Sequence, residues 1–148
     1  MSLSDEVTKI NTIFIDTAPI IYYIEAHPQF GPLTKEIVDA LQSGALNAFT
    51  SVITLVEVLP KPIEAGKELL SKRFTNFLRY GKNLTLVEIS ADIAENAGRL
   101  RGNYTFLRTM DAIQISVAIE TGADTFLTND AKLGQIKEIK TLILRDYL

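Results

Sequence analysis

The sequence predicts an α/β fold, namely a three-layer α/β/α domain with a mostly parallel central sheet. Short apolar runs rich in β-branched residues alternate with segments of helical period, which is typical of βαβ units with helices on both faces of a sheet. No internal repeat or linker interrupts this alternation. The 148 residues fit the length of one domain. We therefore expect a single domain over residues 1–148, with a polar N-terminal lead-in at residues 1–11.

The alternation begins with an apolar strand at residues 13–15. Pro19 fits the first turn of the following helix, at 18–25, because its missing N–H costs nothing there. The next helix, at 33–43, carries apolar side chains at helical spacing and ends before Gly44, a residue common just beyond helix ends.

The middle of the chain repeats the pattern. A strand at 47–50 precedes Ser51, which is predicted to cap a helix that extends through Val58. Residues 64–80 have apolar side chains at the helical period, which predicts one long amphipathic helix.

The last part of the chain supplies three strands and two helices. A strand at 84–89 precedes a helix that Ser90 caps. Thr109 is predicted to cap the next helix, which is apolar nearly all round and is therefore expected to be buried on most sides. The final strands are predicted at residues 125–127 and 141–144.

Composition excludes several kinds of chemistry. The chain has no cysteine and a single histidine, His27. Thiol nucleophiles, disulfides and zinc sites built from Cys or from several His are therefore impossible. The net charge of −3 argues against a general nucleic-acid coat protein. Any reaction must depend mainly on carboxylates, hydroxyls, amides, lysines and arginines.

The N-terminal residues show no export signal. Residues 1–6 are polar and acidic, without a basic segment followed by an apolar one. The longest apolar stretch, residues 18–24, is much shorter than the roughly 20 residues needed to cross a bilayer. We expect a soluble, cytoplasmic protein with no membrane partner.

Four acidic residues fall near the ends of predicted strands. Asp16 follows the first strand, and Glu57 lies on the helix after the second. Asp111 lies in the first turn of the buried helix, and Asp130 comes three residues after strand 125–127. Each alone could be a turn, cap or helix-dipole residue. Because ligands bind beyond the carboxyl ends of parallel strands, the four together predict a shared site.

The chemistry of four clustered carboxylates points to a divalent cation. Glu57 has apolar sequence neighbours, and a carboxylate in apolar surroundings is expected to be paired, neutralised or bound to metal. Clustered carboxylates repel one another, and a cation removes that penalty. Oxygen ligands without His or Cys select Mg²⁺ or Mn²⁺, and Mg²⁺ pairs with substrate phosphate. The expected reaction is metal-assisted hydrolysis of a phosphate ester, with four catalytic and metal-binding residues: Asp16, Glu57, Asp111 and Asp130.

Four sequence blocks resemble the PIN-domain ribonucleases of the VapC toxin type. They are Ile13-Phe14-Ile15-Asp16-Thr17, Thr54-Leu55-Val56-Glu57, Met110-Asp111-Ala112-Ile113 and Leu127-Thr128-Asn129-Asp130. Their order and spacing carry the resemblance, which covers nearly the whole chain. It implies a PIN-like fold and cleavage of RNA phosphodiesters with Mg²⁺ or Mn²⁺ held by the four acids. It also implies auxiliary roles near the metals for three residues: Thr17, Thr128 and Asn129.

Three features depart from the family pattern without removing an acid. About ten residues precede the first strand, Ala18 stands where a small polar residue is common, and Gln114 lies where an apolar residue is more usual. VapC-like toxins are usually encoded beside a small antitoxin that blocks the acidic site. The resemblance therefore implies an antitoxin partner as well as an RNA substrate.

Two stretches of basic residues are candidates for RNA binding. Residues 61–82 hold six basic side chains, which a solvated helix face explains equally well. The arginines that lead into Asp111 have no acid among them and are interleaved with aromatic residues, a combination suited to phosphate contacts and base stacking. We predict that three arginines bind RNA: Arg99, Arg101 and Arg108.

The predicted helix at 18–25 has more apolar residues than one buried stripe can use. Its remaining apolar side chains predict an exposed patch of the kind that marks an interface. Twofold pairing is the commonest symmetric arrangement, and PIN toxins are generally dimeric by resemblance. We therefore expect a homodimer.

Two other classes of enzyme fit the sequence less well than a metal-dependent ribonuclease. A phosphatase of the haloacid dehalogenase type needs a second acid where Ala18 stands, and a 5′-nuclease-like DNA enzyme needs extra acids and a long arch. Two alternatives stay open. One is a housekeeping PIN nuclease without an antitoxin, and the other is a non-catalytic PIN-like module that binds RNA or protein.

Overall fold

A five-stranded parallel sheet forms the centre of the computed structural model, which describes residues 1–148. The strands lie in the order β3-β2-β1-β4-β5, and every neighbouring pair is parallel. The first strand along the chain is therefore the middle strand of the sheet. The strands are β1 (Thr12–Ile15), β2 (Asn47–Ser51), β3 (Leu84–Val87), β4 (Thr125–Thr128) and β5 (Thr141–Ile143).

Eight α-helices connect and cover these strands. They are α1 (Leu3–Val7), α2 (Thr17–Ile24), α3 (Gly31–Ser43), α4 (Val52–Val58), α5 (Pro60–Glu64), α6 (Glu68–Tyr80), α7 (Ala91–Asn103) and α8 (Thr109–Glu120). Two short 3-10 helices follow β4 and β5, at Ala131–Gln135 and Leu144–Tyr147. No helix is long and apolar enough to span a membrane.

The core has two halves, one on each face of the sheet. Ile13 and Ile15 of β1 pack with α1, α2, α3, α4 and α6 on one face. Phe14 points to the opposite face, where it packs with α7 and α8 and stacks on Phe126 with ring centroids 5.2 Å apart. This alternation is what a strand covered by helices on both sides requires. The predicted three-layer α/β/α architecture is confirmed.

The predicted lead-in is partly helical. Ser2 caps α1 by accepting a hydrogen bond from the Asp5 amide, and the Asp5 carboxylate accepts one from the Ser2 amide. This reciprocal capping stabilises a helix of only five residues. Leu3 anchors the helix, since its side chain is 1% exposed in the core. Residues 3–7 therefore belong to the folded structure.

The helix predicted at 64–80 starts later than expected, because residue 64 ends a separate short helix and residues 65–67 are not helical. Pro60 starts α5, and Pro62 packs inward from it. The break follows at Gly66, whose φ of +70° is a left-handed conformation that favours glycine. The helix α6 then begins at Glu68. Two smaller corrections concern β3, which ends at Val87, and α8, whose N-cap is Arg108 rather than Thr109.

Most apolar side chains of α2 pack against other residues of the same chain. Ile20 and Ile24 are buried in the core. The ring of Tyr22 packs against Phe30, and the ring of Tyr23 packs against Phe77. The exposed apolar surplus predicted for this helix is therefore absent, because α3 and α6 cover it.

Candidate active site

The parallel sheet brings the four predicted carboxylates to one edge. Asp16 follows the central strand β1, and Asp130 follows its neighbour β4. Glu57 lies on α4, which starts directly after the other neighbour, β2, and Asp111 lies in the first turn of α8. All four line a cleft of about 300 Å³, together with Thr17, Thr128 and Asn129. The predicted gathering of these residues is therefore what the fold produces.

Asp16 lies at the base of the cleft, as the N-cap of α2. One carboxylate oxygen accepts a hydrogen bond from the Thr17 amide at 2.9 Å, and the other accepts from the Thr128 hydroxyl at 2.8 Å. Burial raises the pKa of this carboxyl from 3.8 to about 6. The two hydrogen bonds oppose that rise, and the nearby charges of Asp111 and Glu57 add to it. The cleft therefore disfavours the charged form of Asp16.

Glu57 is exposed on the outer side of α4. Its sequence neighbours are apolar, but Val56 beside it is 64% exposed, so the expected apolar surroundings do not form. The side chain is nevertheless paired, because the Thr17 hydroxyl donates a 2.6 Å hydrogen bond to its Oε1. Thr17 therefore holds one carboxylate through its hydroxyl and another through its backbone amide.

Asp111 is the carboxylate with a cationic partner. Arg108 donates from Nε to Asp111 Oδ2 at 2.9 Å, and the side chains are 78% and 15% exposed, respectively. Asp111 also lies at the N-terminal end of α8, where the helix dipole favours a negative charge. Both contacts place positive charge beside this carboxylate.

Asp130 caps the 3-10 helix that follows β4. Its carboxylate accepts from the Lys132 amide at 3.1 Å. Its own amide donates to the Thr128 hydroxyl oxygen at 3.1 Å, and that hydroxyl donates to Asp16. Thr128 therefore links the carboxylate of Asp16 to the backbone of Asp130.

Tyr22 and Asn129 form one wall of the cleft. Asn129 donates from Nδ2 to the Tyr22 hydroxyl oxygen at 3.2 Å. Its side-chain oxygen accepts from the backbone amide of Arg145 at 3.0 Å and from Arg145 Nε at 3.3 Å, which fixes the orientation of the amide. Tyr22 lies on the helix whose surplus apolar side chains were predicted to form a dimer contact. Only its position nearly two turns after Asp16, the N-cap of the same helix, could have indicated the cleft.

The three predicted RNA-binding arginines do not lie together. Arg108 lines the cleft. Arg99 lies 3.7 Å from Glu95 in an exposed ion pair on α7, and Arg101 donates to the Leu107 carbonyl. An adjoining depression of about 280 Å³ adds Phe106, Lys132 and Leu133. Phe106 is one of the aromatic residues interleaved with the predicted arginines, whereas Lys132 was not expected at the site.

The ligand chemistry of the cleft fits a hard cation. Its acidic groups are carboxylates, and the hydroxyl oxygens of Thr17 and Thr128 lie beside them, a set that suits Mg²⁺ or Mn²⁺. Burial, and to a lesser extent the neighbouring like charges, raises the pKa of Asp16, and a bound cation would offset both effects. No three acidic or histidine side chains are grouped closely enough to hold one ion as they stand. Each carboxylate is instead held by the partner described above.

Several solved structures share this fold. VapBC2 from Rickettsia felis, bound to a DNA fragment from its promoter, is 20% identical with a TM-score of 0.69, covering 89% of this chain and 98% of that chain. VapC20 from Mycobacterium tuberculosis, a sarcin-ricin loop cleaving toxin, is 17% identical with a TM-score of 0.68, covering 86% and 98%. DNA-bound VapBC from Salmonella typhimurium is 18% identical with a TM-score of 0.66, covering 91% and 99%.

The family assignment comes from the sequence comparison. No curated protein sequence matches the chain. The structural similarity is to VapC-type proteins and confirms the predicted PIN-like architecture. The family model of the PIN domain matches residues 13–139, an interval that contains all four carboxylates of the cleft. The chain therefore belongs to the PIN-domain family.

Proposed function

We propose that this protein is a metal-dependent endoribonuclease that hydrolyses RNA phosphodiesters, and that it is the toxin of a VapBC-type pair. The observation that carries the proposal is the convergence of four acids, distant in sequence, on one cleft at the carboxyl edge of the sheet. Membership of the PIN-domain family supports the nuclease, and the similarity to VapC20, described as a sarcin-ricin loop cleaving toxin, supports RNA as the substrate.

The carboxylates of the cleft would hold the cation, namely Asp16, Glu57, Asp111 and Asp130. A bound Mg²⁺ or Mn²⁺ supplies activation of water and neutralisation of the negative charge on the phosphate. The chain positions these ligands through hydroxyl groups: Thr17 holds Glu57, and Thr128 holds Asp16. Asn129 would contribute indirectly, because it donates a hydrogen bond that holds the Tyr22 hydroxyl at the cleft wall.

Substrate binding is proposed for the groups at the rim of the cleft. Arg108 and Lys132 are the cationic side chains in the depression next to the carboxylates, where they can contact phosphates. Phe106 lies in the same depression and is 40% exposed, so its ring can stack on a base. Arg99 and Arg101 would bind only RNA that extends beyond the cleft.

The proposed partners are a small antitoxin protein and a second copy of the chain. The similar structures include VapBC complexes, which supports an antitoxin. A carboxylate-lined cleft is a natural receptor for an arginine of such a partner, because guanidinium pairs bidentately with carboxylate. RNA cleavage and its control by an antitoxin both imply a cytoplasmic location. The homodimer is supported by exposed apolar side chains on α4, α5 and α6.

The nuclease is tested with purified protein and a mixed pool of structured RNA. We expect fragments in Mg²⁺ or Mn²⁺, intact RNA in EDTA, and loss of cleavage in Asp16→Asn. Asp39→Asn is the matched control, because Asp39 is an exposed carboxylate on α3 that pairs only with Lys35. Equal cleavage in EDTA, or full activity in Asp16→Asn, would contradict the proposal.

The toxin assignment is tested in cells. Expression of the chain alone should arrest growth, Asp16→Asn should abolish the arrest, and co-expression of the small reading frame encoded beside it should rescue growth. Harmless expression of a protein that cleaves RNA in vitro would favour the housekeeping PIN nuclease. Stable binding of RNA without cleavage in any divalent cation would favour the non-catalytic module.

A further inference from the structure

Behind the cleft lies a buried cluster of polar side chains, formed by Thr50, Ser51, Thr54 and Gln114. Gln114 is at its centre, on α8, and is 1% exposed. A buried glutamine is costly unless its amide is hydrogen-bonded. Here both ends of the amide are satisfied: Oε1 by Ser51, and Nε2 by Thr54 at 2.8 Å and by Thr17 at 3.4 Å. Gln114, which departs from the family pattern, therefore has a hydrogen-bond partner for both its amide oxygen and its amide nitrogen.

The direction of these hydrogen bonds is fixed from the backbone outward. The Ile53 amide donates to Ser51 Oγ at 3.1 Å, as part of the cap of α4. The Ser51 hydroxyl hydrogen is then available to donate to Gln114 Oε1. This contact sets the orientation of the Gln114 amide, so that its NH₂ group faces the threonine hydroxyls.

The NH₂ group of Gln114 can only donate. The oxygens of Thr54 and Thr17 must accept from it, and their own hydrogens must point elsewhere. For Thr17 the remaining partner is Glu57 Oε1, at 2.6 Å. The Thr54 hydroxyl lies 2.9 Å from Thr50 Oγ1 and 3.3 Å from Thr17 Oγ1, so it has a closer hydrogen-bond partner than Thr17. The chain of donors thus runs from the α4 cap through Gln114 and Thr17 to a carboxylate of the cleft.

We propose that Gln114 is a positioning residue that acts through Thr17, fixing the Thr17 hydroxyl as a donor and thereby holding the Glu57 carboxylate in the cleft. The inference rests on the proposed function, because Glu57 is there a ligand of the cation. Without Gln114 the Thr17 hydroxyl is free to turn toward Thr54, and Glu57, which is exposed, loses the contact that orders it. The expected consequence is weaker cation binding in a protein that is still folded.

The test compares four single variants in Mn²⁺ titrations of RNA-free protein, in single-turnover cleavage and in thermal unfolding. Gln114→Met keeps the size of the side chain and removes its hydrogen bonds. It should lower Mn²⁺ affinity and the cleavage rate by about 10–100-fold, with little change in the KM for RNA. Thr17→Val should give the same loss, and Thr17→Ser, which retains the hydroxyl, should recover most of it. Ser116→Ala is the matched control.

Ser116 suits that purpose because it is buried on the same helix and donates to the Ile93 carbonyl at 2.8 Å, away from the cleft. Its replacement should lower the melting temperature without changing Mn²⁺ affinity. The double variant Gln114→Met/Thr17→Val gives the sharpest measurement. If Gln114 acts through Thr17, the double variant is no weaker in Mn²⁺ binding than Thr17→Val alone.

Additive losses in the double variant would overturn the proposal, as would unchanged Mn²⁺ affinity in a folded Gln114→Met. If Gln114→Met does not fold, Ser51→Ala releases the other end of the amide and should weaken Mn²⁺ binding in the same direction, whereas Ser51→Thr should recover it. Unchanged binding in Ser51→Ala would then overturn the proposal. A wild-type protein that neither binds Mn²⁺ nor cleaves RNA would refute the proposed function and this inference together.

Discussion

Arg108 donates a 2.9 Å hydrogen bond to Asp111, three residues later in the chain, at the start of α8. One carboxylate of the cleft is thus paired with a cation of the chain itself. The arginine is mostly exposed and the aspartate mostly buried, so the guanidinium can leave at little cost while the carboxylate cannot move away. The pair places Arg108 in competition with any cation that uses Asp111.

Replacing Arg108 should therefore separate two effects. In Arg108→Ala the affinity for Mn²⁺ should rise about three- to tenfold at low salt, because a positive charge near the carboxylates is removed. The KM for RNA should also rise, since the same guanidinium contacts phosphate in the proposed complex. Mn²⁺ titration without RNA and steady-state cleavage measure the two quantities independently.

Arg99→Ala is the control for that measurement, because Arg99 pairs with Glu95 on the exposed side of α7. It should leave Mn²⁺ affinity at the wild-type value. A folded Arg108→Ala with unchanged or weaker Mn²⁺ binding would show that Asp111 is not part of a cation site.

The raised pKa of Asp16 predicts a pH dependence of stability in the absence of divalent cations. The native carboxyl has a pKa of about 6 against 3.8 for the ordinary group, so between these values the native state binds more protons than the unfolded state. Stability is therefore greatest below pH 4 as far as this group is concerned, and falls as pH rises through 6. The shift corresponds to at most about 3 kcal/mol at neutral pH.

Urea unfolding in EDTA at several pH values measures this contribution. In Asp16→Asn the decrease between about pH 4 and pH 6 should be absent, so that the variant is more stable than the wild type at pH 7 and loses this advantage near pH 4. Mg²⁺ should raise the stability of the wild type at pH 7 and have little effect on the variant. A variant that is less stable at every pH would identify Asp16 as a structural cap instead.

The fold and the gathering of the four acids were predictable because both follow from local patterns. Each strand is a short apolar run, and parallel strands end at one edge. Asp16 and Asp130 follow strands, Asp111 lies in the first turn of a helix, and Glu57 lies on the helix that directly follows β2. The proximity of Asp16 and Asp130 could be predicted from the sequence, because each follows a strand and parallel strands end at the same edge of the sheet. The side chains that hold the acids could not be predicted in this way, because they are distant in sequence. Thr17, for example, donates a hydrogen bond to Glu57, which lies 40 residues later in the chain.

The features that the sequence analysis missed depend on tertiary contacts or on weak local signals. Gln114 looks like an anomaly in an apolar helix until β2 and α4 bring Ser51 and Thr54 against it. For α1 a signal existed in the capping pair Ser2 and Asp5, but five residues are too few to show helical periodicity. The exposure of Glu57 depends on which side of α4 faces the sheet, and that is set by packing.

The hydroxyl of Tyr22 is predicted to contact the substrate. Asn129 donates to its oxygen, so its hydrogen is left free at the cleft wall. Tyr22→Phe should raise the KM for RNA about fivefold, the loss expected for one hydrogen bond of roughly 1 kcal/mol, and should barely change Mn²⁺ affinity. Steady-state cleavage of an RNA oligonucleotide measures the change.

Tyr23→Phe is the matched control for this prediction. Tyr23 is the next residue of α2, and its ring packs against Phe77 rather than lining the cleft. Its loss of a hydroxyl should leave the KM unchanged. Equal kinetic effects of the two variants would indicate a general disturbance of α2 rather than a substrate contact of Tyr22.

The chain is predicted to form a homodimer. The structure indicates that the contact surface lies on α5 and α6 and not on α2, where the sequence placed it. Because α2 is covered by its neighbours, the apolar side chains available for pairing are those exposed on the next helices. Ile63 on α5 and Leu69 on α6 are 62% and 78% exposed. Burying one such side chain contributes about 1.5–3 kcal/mol, and twofold pairing counts each twice.

Light scattering at micromolar concentration should give twice the chain mass for the wild type and a lower mass for Ile63→Glu and Leu69→Glu. Ile119→Glu is the control, because Ile119 is an exposed apolar residue of α8, on the opposite face of the sheet. It should leave the mass unchanged. A monomeric wild type would contradict the homodimer. A mass lowered only by Ile119→Glu would place the interface on α8, the helix that carries Asp111.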